Sequence, residues 1–101
     1  MKIRTLPAAE DDLVEGALWY EERQEGLGET FIDEYQETIL RILSGPESQS
    51  LLETNRTRRV IRRCFLKRFP YYIAYEVVAG EILILAVAHA KRRPNYWIRR
   101  K

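Results

Sequence analysis

The sequence contains one cysteine, one histidine, five glycines and no long apolar run, and each scarcity removes a class of function. Cys64 has no second cysteine to pair with, so no internal disulfide forms and a reducing, cytoplasmic setting is expected. Cys64 and His89 together fall short of the ligand set of a structural zinc site, and neither metal nor cofactor is expected. Gly16, Gly26, Gly28, Gly45 and Gly80 build neither a GxGxxG turn nor a P-loop, which excludes nucleotide binding by those devices. The longest apolar stretch, Ile82 to Ala88, is far short of the roughly 20 residues a spanning helix needs. The opening residues Met1 to Pro7 lack the apolar core of a signal peptide, so no membrane partner is expected.

What is present is a chain of 101 residues, 46% hydrophobic and 32% charged, the profile of one soluble domain spanning 1–101. The formal net charge of +2 conceals a division. Residues 1–53 carry 4 basic and 13 acidic side chains, whereas residues 54–101 carry 13 basic and 2 acidic ones.

Periodicity gives the elements. Lys2 to Leu6 alternates polar and apolar, as a short strand does, and Pro7 suits the first turn of a helix. Leu13, Ala17 and Tyr20, with Trp19 beside them, mark a helix from Ala8 to about Arg23, with Glu10, Asp11 and Asp12 in its first turn. Gly26-Leu27-Gly28 breaks it. A second helix, from about Glu29 to Leu43, presents Phe31, Ile32, Tyr35, Ile39, Ile42 and Leu43 before Gly45-Pro46 ends it. Residues 46–57 read as a loop. Arg59 to Lys67, Tyr71 to Val78 and Glu81 to His89 read as strands, the last two joined at Ala79-Gly80. The expected fold is α+β: a two-helix antiparallel hairpin on one face of a curved antiparallel sheet, in the order β-α-α-β-β-β.

Trp19, Tyr20, Phe31 and Tyr35 are assigned to the helix–sheet core, Cys64 to a small buried or half-buried filling role, and the helical acids to solvated faces. Tyr96 and Trp97 have the chemistry to stack on bases, and Trp97 is assigned to packing the tail back on the domain.

Asp12-Leu13, Trp19-Tyr20, Gly26-Leu27-Gly28 and Phe31, followed by Arg68-Phe69-Pro70-Tyr71, Tyr75 and the ending His89-x-x-Arg-Arg-Pro-x-Tyr-Trp97, form one ordered set. Together they resemble the RelE/ParE superfamily of type II toxin–antitoxin toxins over nearly the whole chain. The resemblance implies a growth-inhibiting toxin of a plasmid-stabilisation module, neutralised by a cognate antitoxin. Two branches follow. ParE-like members poison DNA gyrase, and RelE-like members cut messenger RNA on the ribosome. RelE-like sequences place an Arg where this chain has Tyr72, and their catalytic Tyr falls on Trp97, next to Tyr96. The ParE-like branch is therefore expected, with RelE-type endoribonuclease and a non-toxic antitoxin-binding member as alternatives.

RNA cleavage needs a base for the 2′-hydroxyl, an acid for the leaving oxygen and cations for the phosphorane. Candidates for those roles are His89, Arg93, Arg63 and Tyr96, against the plainer reading of His89 as a ring that caps its strand or hydrogen-bonds a helix. Arg59, Arg62, Arg63, Arg68, Lys91, Arg92, Arg93 and Arg99 are the candidate binding face. Such a cluster serves nucleic-acid phosphates, an acidic antitoxin segment, or nothing beyond solvation.

Overall fold

Residues 1–100 are described by a computed structural model. Strand β1, Lys2–Thr5, ends at Leu6, whose N–H still donates to Ile84 O at 3.1 Å. Pro7 has no N–H to extend that ladder, and its fixed φ starts helix α1, Pro7–Arg23. Gly26, at φ 85°, turns the chain back into helix α2, Leu27–Ser44. The Glu21 carboxylate accepts the Gly26 N–H at 2.9 Å and the Gly28 N–H at 3.0 Å, so an acid of α1 caps the positive end of α2. The hairpin closes tightly there. A Cβ on Gly28 would stand 2.5 Å from Ala17 O.

Four strands complete the chain: β2 Ser50–Leu51, β3 Arg62–Phe65, β4 Tyr71–Val78 and β5 Glu81–His89. The sheet order is β1-β5-β4-β3-β2. Ala79 and Gly80, at φ 51° and 76°, supply the left-handed pair that a tight β4–β5 turn requires. The α+β class and the helical hairpin are as the sequence predicts, with two differences in the sheet. First, β1 joins β5 in parallel, so the sheet is mixed, and both helices and strands β2 to β4 lie in the connection between these two partners. Second, part of the expected loop 46–57 pairs as β2 with Arg62 and Arg63.

Tyr71 packs edge-on to Phe31 and Tyr20, which identifies the sheet face that the helices cover. Alternation places Ile73, Tyr75 and Cys64 on the same face, with Tyr72, Ala74, Arg63 and Phe65 on the other. Ile82 to Ala88 are all buried, as their continuous apolar run implies. The C-terminal segment closes the second face: Trp97 is fully buried, and its Nε1–H donates to the Tyr72 hydroxyl at 2.9 Å.

Between Ala74 and Tyr75 the β4–β5 register shifts, leaving Leu85 as an extra residue on β5. Since β1 pairs only as far as Ile84, the edge of β5 beyond it has no neighbouring strand. Side chains fill that gap. Asp12 Oδ2 accepts the Val87 N–H at 3.0 Å, and Arg100 Nη1 donates to Leu85 O at 3.2 Å and to Asp12 at 2.6 Å.

Three sequence assignments need correction. Asp12 is buried in this edge seal. Glu34 is 2% exposed and receives the Arg68 backbone N–H at 2.5 Å and Arg68 Nε at 2.6 Å, so neither acid belongs to a solvated face. Trp19 lies outside the core at 49% exposure, with the Arg23 guanidinium 3.3 Å over its ring.

Candidate functional sites on the two sides of the sheet

His89 ends β5 opposite Tyr71, on the helix-covered face, with the two rings edge to face at 5.1 Å. Its Nδ1 accepts the Lys91 N–H at 3.0 Å. In the neutral ring that leaves the proton on Nε2, which is then a donor with no lone pair to offer. The ring caps the turn after β5 and is poorly arranged to act as a base. Tyr96 and Arg92 line the same cleft as His89, and the Arg92 guanidinium lies 4.2 Å over the Tyr96 ring. Burial, and then the charge of Asp12, push the Tyr96 phenol above its ordinary range, making it a weaker acid toward a leaving oxygen.

Arg63 does not join them. It pairs with Ala74 on the opposite face, its guanidinium 5.4 Å from the Phe65 ring and 5.5 Å from that of Tyr72. Arg63 Nε is buried without a hydrogen-bond partner among the described residues. The four proposed catalytic residues are thus divided by the sheet: His89 and Tyr96 share a cleft, Arg63 lies behind it, and Arg93 is exposed in the turn after β5.

The eight proposed binding residues also separate. Arg68 is spent on Glu34, and that pairing sets the acid's titration. Burial raises the Glu34 carboxyl, but the hydrogen bonds and charge of Arg68 outweigh it and hold the group below the ordinary carboxylate range. Arg59 pairs with Glu76 and also donates to Arg100 O at 2.7 Å and Ile98 O at 3.3 Å, which ties down the tail. Arg62 donates to Gln49 O at 2.9 Å. Lys91, Arg92 and Arg93 are exposed after β5.

Arg59 and Arg99 meet in a second depression of about 780 Å³ on the face away from the helices. Its floor is Val78, Leu83 and Ile98, and Arg4 and Arg56 complete a rim of guanidinium groups. Arg56 belongs to the basic cluster visible in the sequence, whereas nothing local singles out Arg4. Arg4 lies far away in the chain, and only the parallel pairing of β1 with β5 sets it opposite Leu83. The cleft at the other side likewise contains Glu15, Trp19 and Tyr71, which were not proposed. The spacing of Glu15 and Trp19, one helical turn apart, is the only local sign that they share a surface.

With this geometry in place, comparison with known proteins is decisive. The model of the ParE toxin of the type II toxin–antitoxin system parDE matches residues 3–94. The chain belongs to the ParE toxin family. Among solved structures, a chain of the chromosomal ParDE toxin–antitoxin system from P. aeruginosa superposes with a TM-score of 0.66 at 19% identity, covering 90% of this chain and 97% of that one. At that identity the likeness establishes the shared fold. No curated protein matches significantly. Within the ParE fold, Tyr72 serves the structure as the acceptor for Trp97. No described helix is long and apolar enough to cross a membrane.

Proposed function

We propose that this ParE-family toxin stops growth in the cytoplasm by binding DNA gyrase, without cutting RNA, and that a cognate antitoxin silences it. The observation that carries this reading is the division of the candidate RNase residues. Arg63 is on the sheet face opposite His89, and His89 Nδ1 is already engaged by the Lys91 N–H. Acid–base cleavage needs these groups within hydrogen-bond reach of one phosphodiester. Binding makes no such demand.

The antitoxin is assigned to the depression rimmed by Arg4, Arg56 and Arg99, where an acidic segment with alternating apolar side chains meets guanidinium groups above an apolar floor. Arg56→Glu with Arg99→Glu is expected to weaken antitoxin binding about tenfold or more while leaving the far-ultraviolet spectrum unchanged.

The test of the target is negative supercoiling by purified gyrase. The expected result is inhibition or trapped DNA cleavage at near-stoichiometric toxin, reversed by the antitoxin. Full supercoiling activity in a large toxin excess would exclude gyrase.

A further inference from the structure

We propose that the cleft between α1 and the end of β5 is a receptor for an arginine side chain carried by a basic segment of a protein partner. This site is distinct from the arginine-rimmed depression, and the proposal rests on neither the gyrase nor the antitoxin reading.

The cleft encloses about 280 Å³ and is walled by Trp19, Tyr71, His89 and Tyr96, with Glu15 and Arg92 at its rim. Gly16 makes room for it. A Cβ there would lie 2.9 Å from the Phe31 ring, so only glycine lets that ring approach α1 so closely, and the Tyr71 hydroxyl would stand in ordinary contact at 3.4 Å. Aromatic faces beside a carboxylate attract guanidinium and ammonium groups through the ring quadrupole and the charge together.

The molecule already uses this chemistry on itself. Arg23 covers Trp19 at 3.3 Å, and Arg92 covers Tyr96 at 4.2 Å. Tyr71 has no guanidinium over it among the described residues. Asp12 is neutralised by Arg100, whereas Glu15 has no ion-pair partner among the described residues. One carboxylate and one aromatic wall are therefore left for an incoming cation. Arg92 is the opposing charge at the rim, held 4.2 Å over the Tyr96 ring.

The surrounding surface favours a protein over a free cation. On the exposed side of α1, Val14 and Leu18 are 56% and 58% exposed, one turn apart, with Asp11, Glu15 and Glu22 around them. An apolar pair within an acidic field complements a basic amphipathic segment and repels nucleic acid.

The test uses the full chain and Nα-acetyl-arginine N-methylamide, with the citrulline counterpart as an uncharged analogue of the same shape. The two indole N–H signals in ¹H–¹⁵N spectra report separately. Trp19 lines the cleft, and buried Trp97 records any general disturbance. The expected result is a saturable shift of Trp19 alone, at about millimolar affinity. It should weaken about fivefold or more in Glu15→Gln and stay unchanged in Asp33→Asn, an exposed change on the other helix. An equal response to the citrulline compound would overturn the proposal. So would stronger binding of adenosine monophosphate or of Nα-acetyl-glutamate N-methylamide, which would reassign the cleft to a nucleotide or to a carboxylate on Arg92. Unaltered affinity in Glu15→Gln would overturn it as well.

Discussion

Replacing Asp12 with alanine should be among the most damaging single changes to this fold outside its apolar core. Asp12 is an acid on a helix, yet its side chain is 8% exposed and closes the strandless edge of β5. It accepts three hydrogen bonds: from the Val87 N–H at 3.0 Å and from Arg100 at 2.6 and 3.2 Å. Asp12→Ala leaves the Val87 N–H buried without an acceptor, at a cost of about 1–3 kcal/mol. Arg100 loses its carboxylate too. Its side chain is 22% exposed and partly rehydrates, so this loss falls below the cost of breaking a fully buried pair and adds about 1–2 kcal/mol. The total, about 2–5 kcal/mol, corresponds to a fall in Tm of about 10–25 °C for a domain of this size. Urea unfolding of the parent, Asp12→Ala, Arg100→Ala and the double variant would measure it. The double variant should cost about 1–2 kcal/mol less than the two singles added together. Strict additivity, or an Asp12→Ala loss under about 0.5 kcal/mol, would refute the edge-seal argument.

Other consequences follow from the same geometry. Glu34 has a carboxyl held below its unfolded value, so its contribution to stability is complete above the ordinary carboxylate range and disappears as the pH falls through the lowered folded value. Glu34→Gln should remove that part of the acid-induced loss in denaturation profiles across the acidic range. Burial, and then Cys64, push the Tyr75 phenol up to about 12, so the folded state holds this proton more tightly than the unfolded chain does. Its contribution is full below the unfolded value near 10 and is lost as the pH rises toward about 12. Tyr75→Phe should flatten that alkaline loss and, by removing the 2.5 Å bond to Pro46 O, cost about 1 kcal/mol at neutral pH. Gly28→Ala forces a Cβ against Ala17 O and should destabilise by about 1–3 kcal/mol in the same unfolding assay.

Features set by neighbouring residues were legible in the sequence. Pro7 begins α1, Gly45 caps α2, and Ala79-Gly80 turns β4 into β5, because each signal acts through the backbone of a few adjacent residues. Features set by distant partners were not. Lys2 to Thr5 announces a strand, but alternation says nothing of its neighbour or direction. Ser50–Leu51 is too short to show a period and exists only through Arg62 and Arg63. Asp12 reads as one more acid in a first turn. Its burial depends on Arg100, 88 positions away. The same limit applies to the basic residues. Their abundance after residue 54 is visible in the sequence, but the tertiary fold alone decides that Arg59 and Arg68 join internal ion pairs while Arg99 faces an open groove.

Central to the functional account is that this ParE-family toxin acts through binding, with no RNA chemistry of its own. Primer extension on messenger RNA bound to translating ribosomes, with and without purified toxin, addresses it most directly. Intact transcripts at toxin levels that stop supercoiling are the expected result. New cuts positioned within ribosome-bound codons would contradict it.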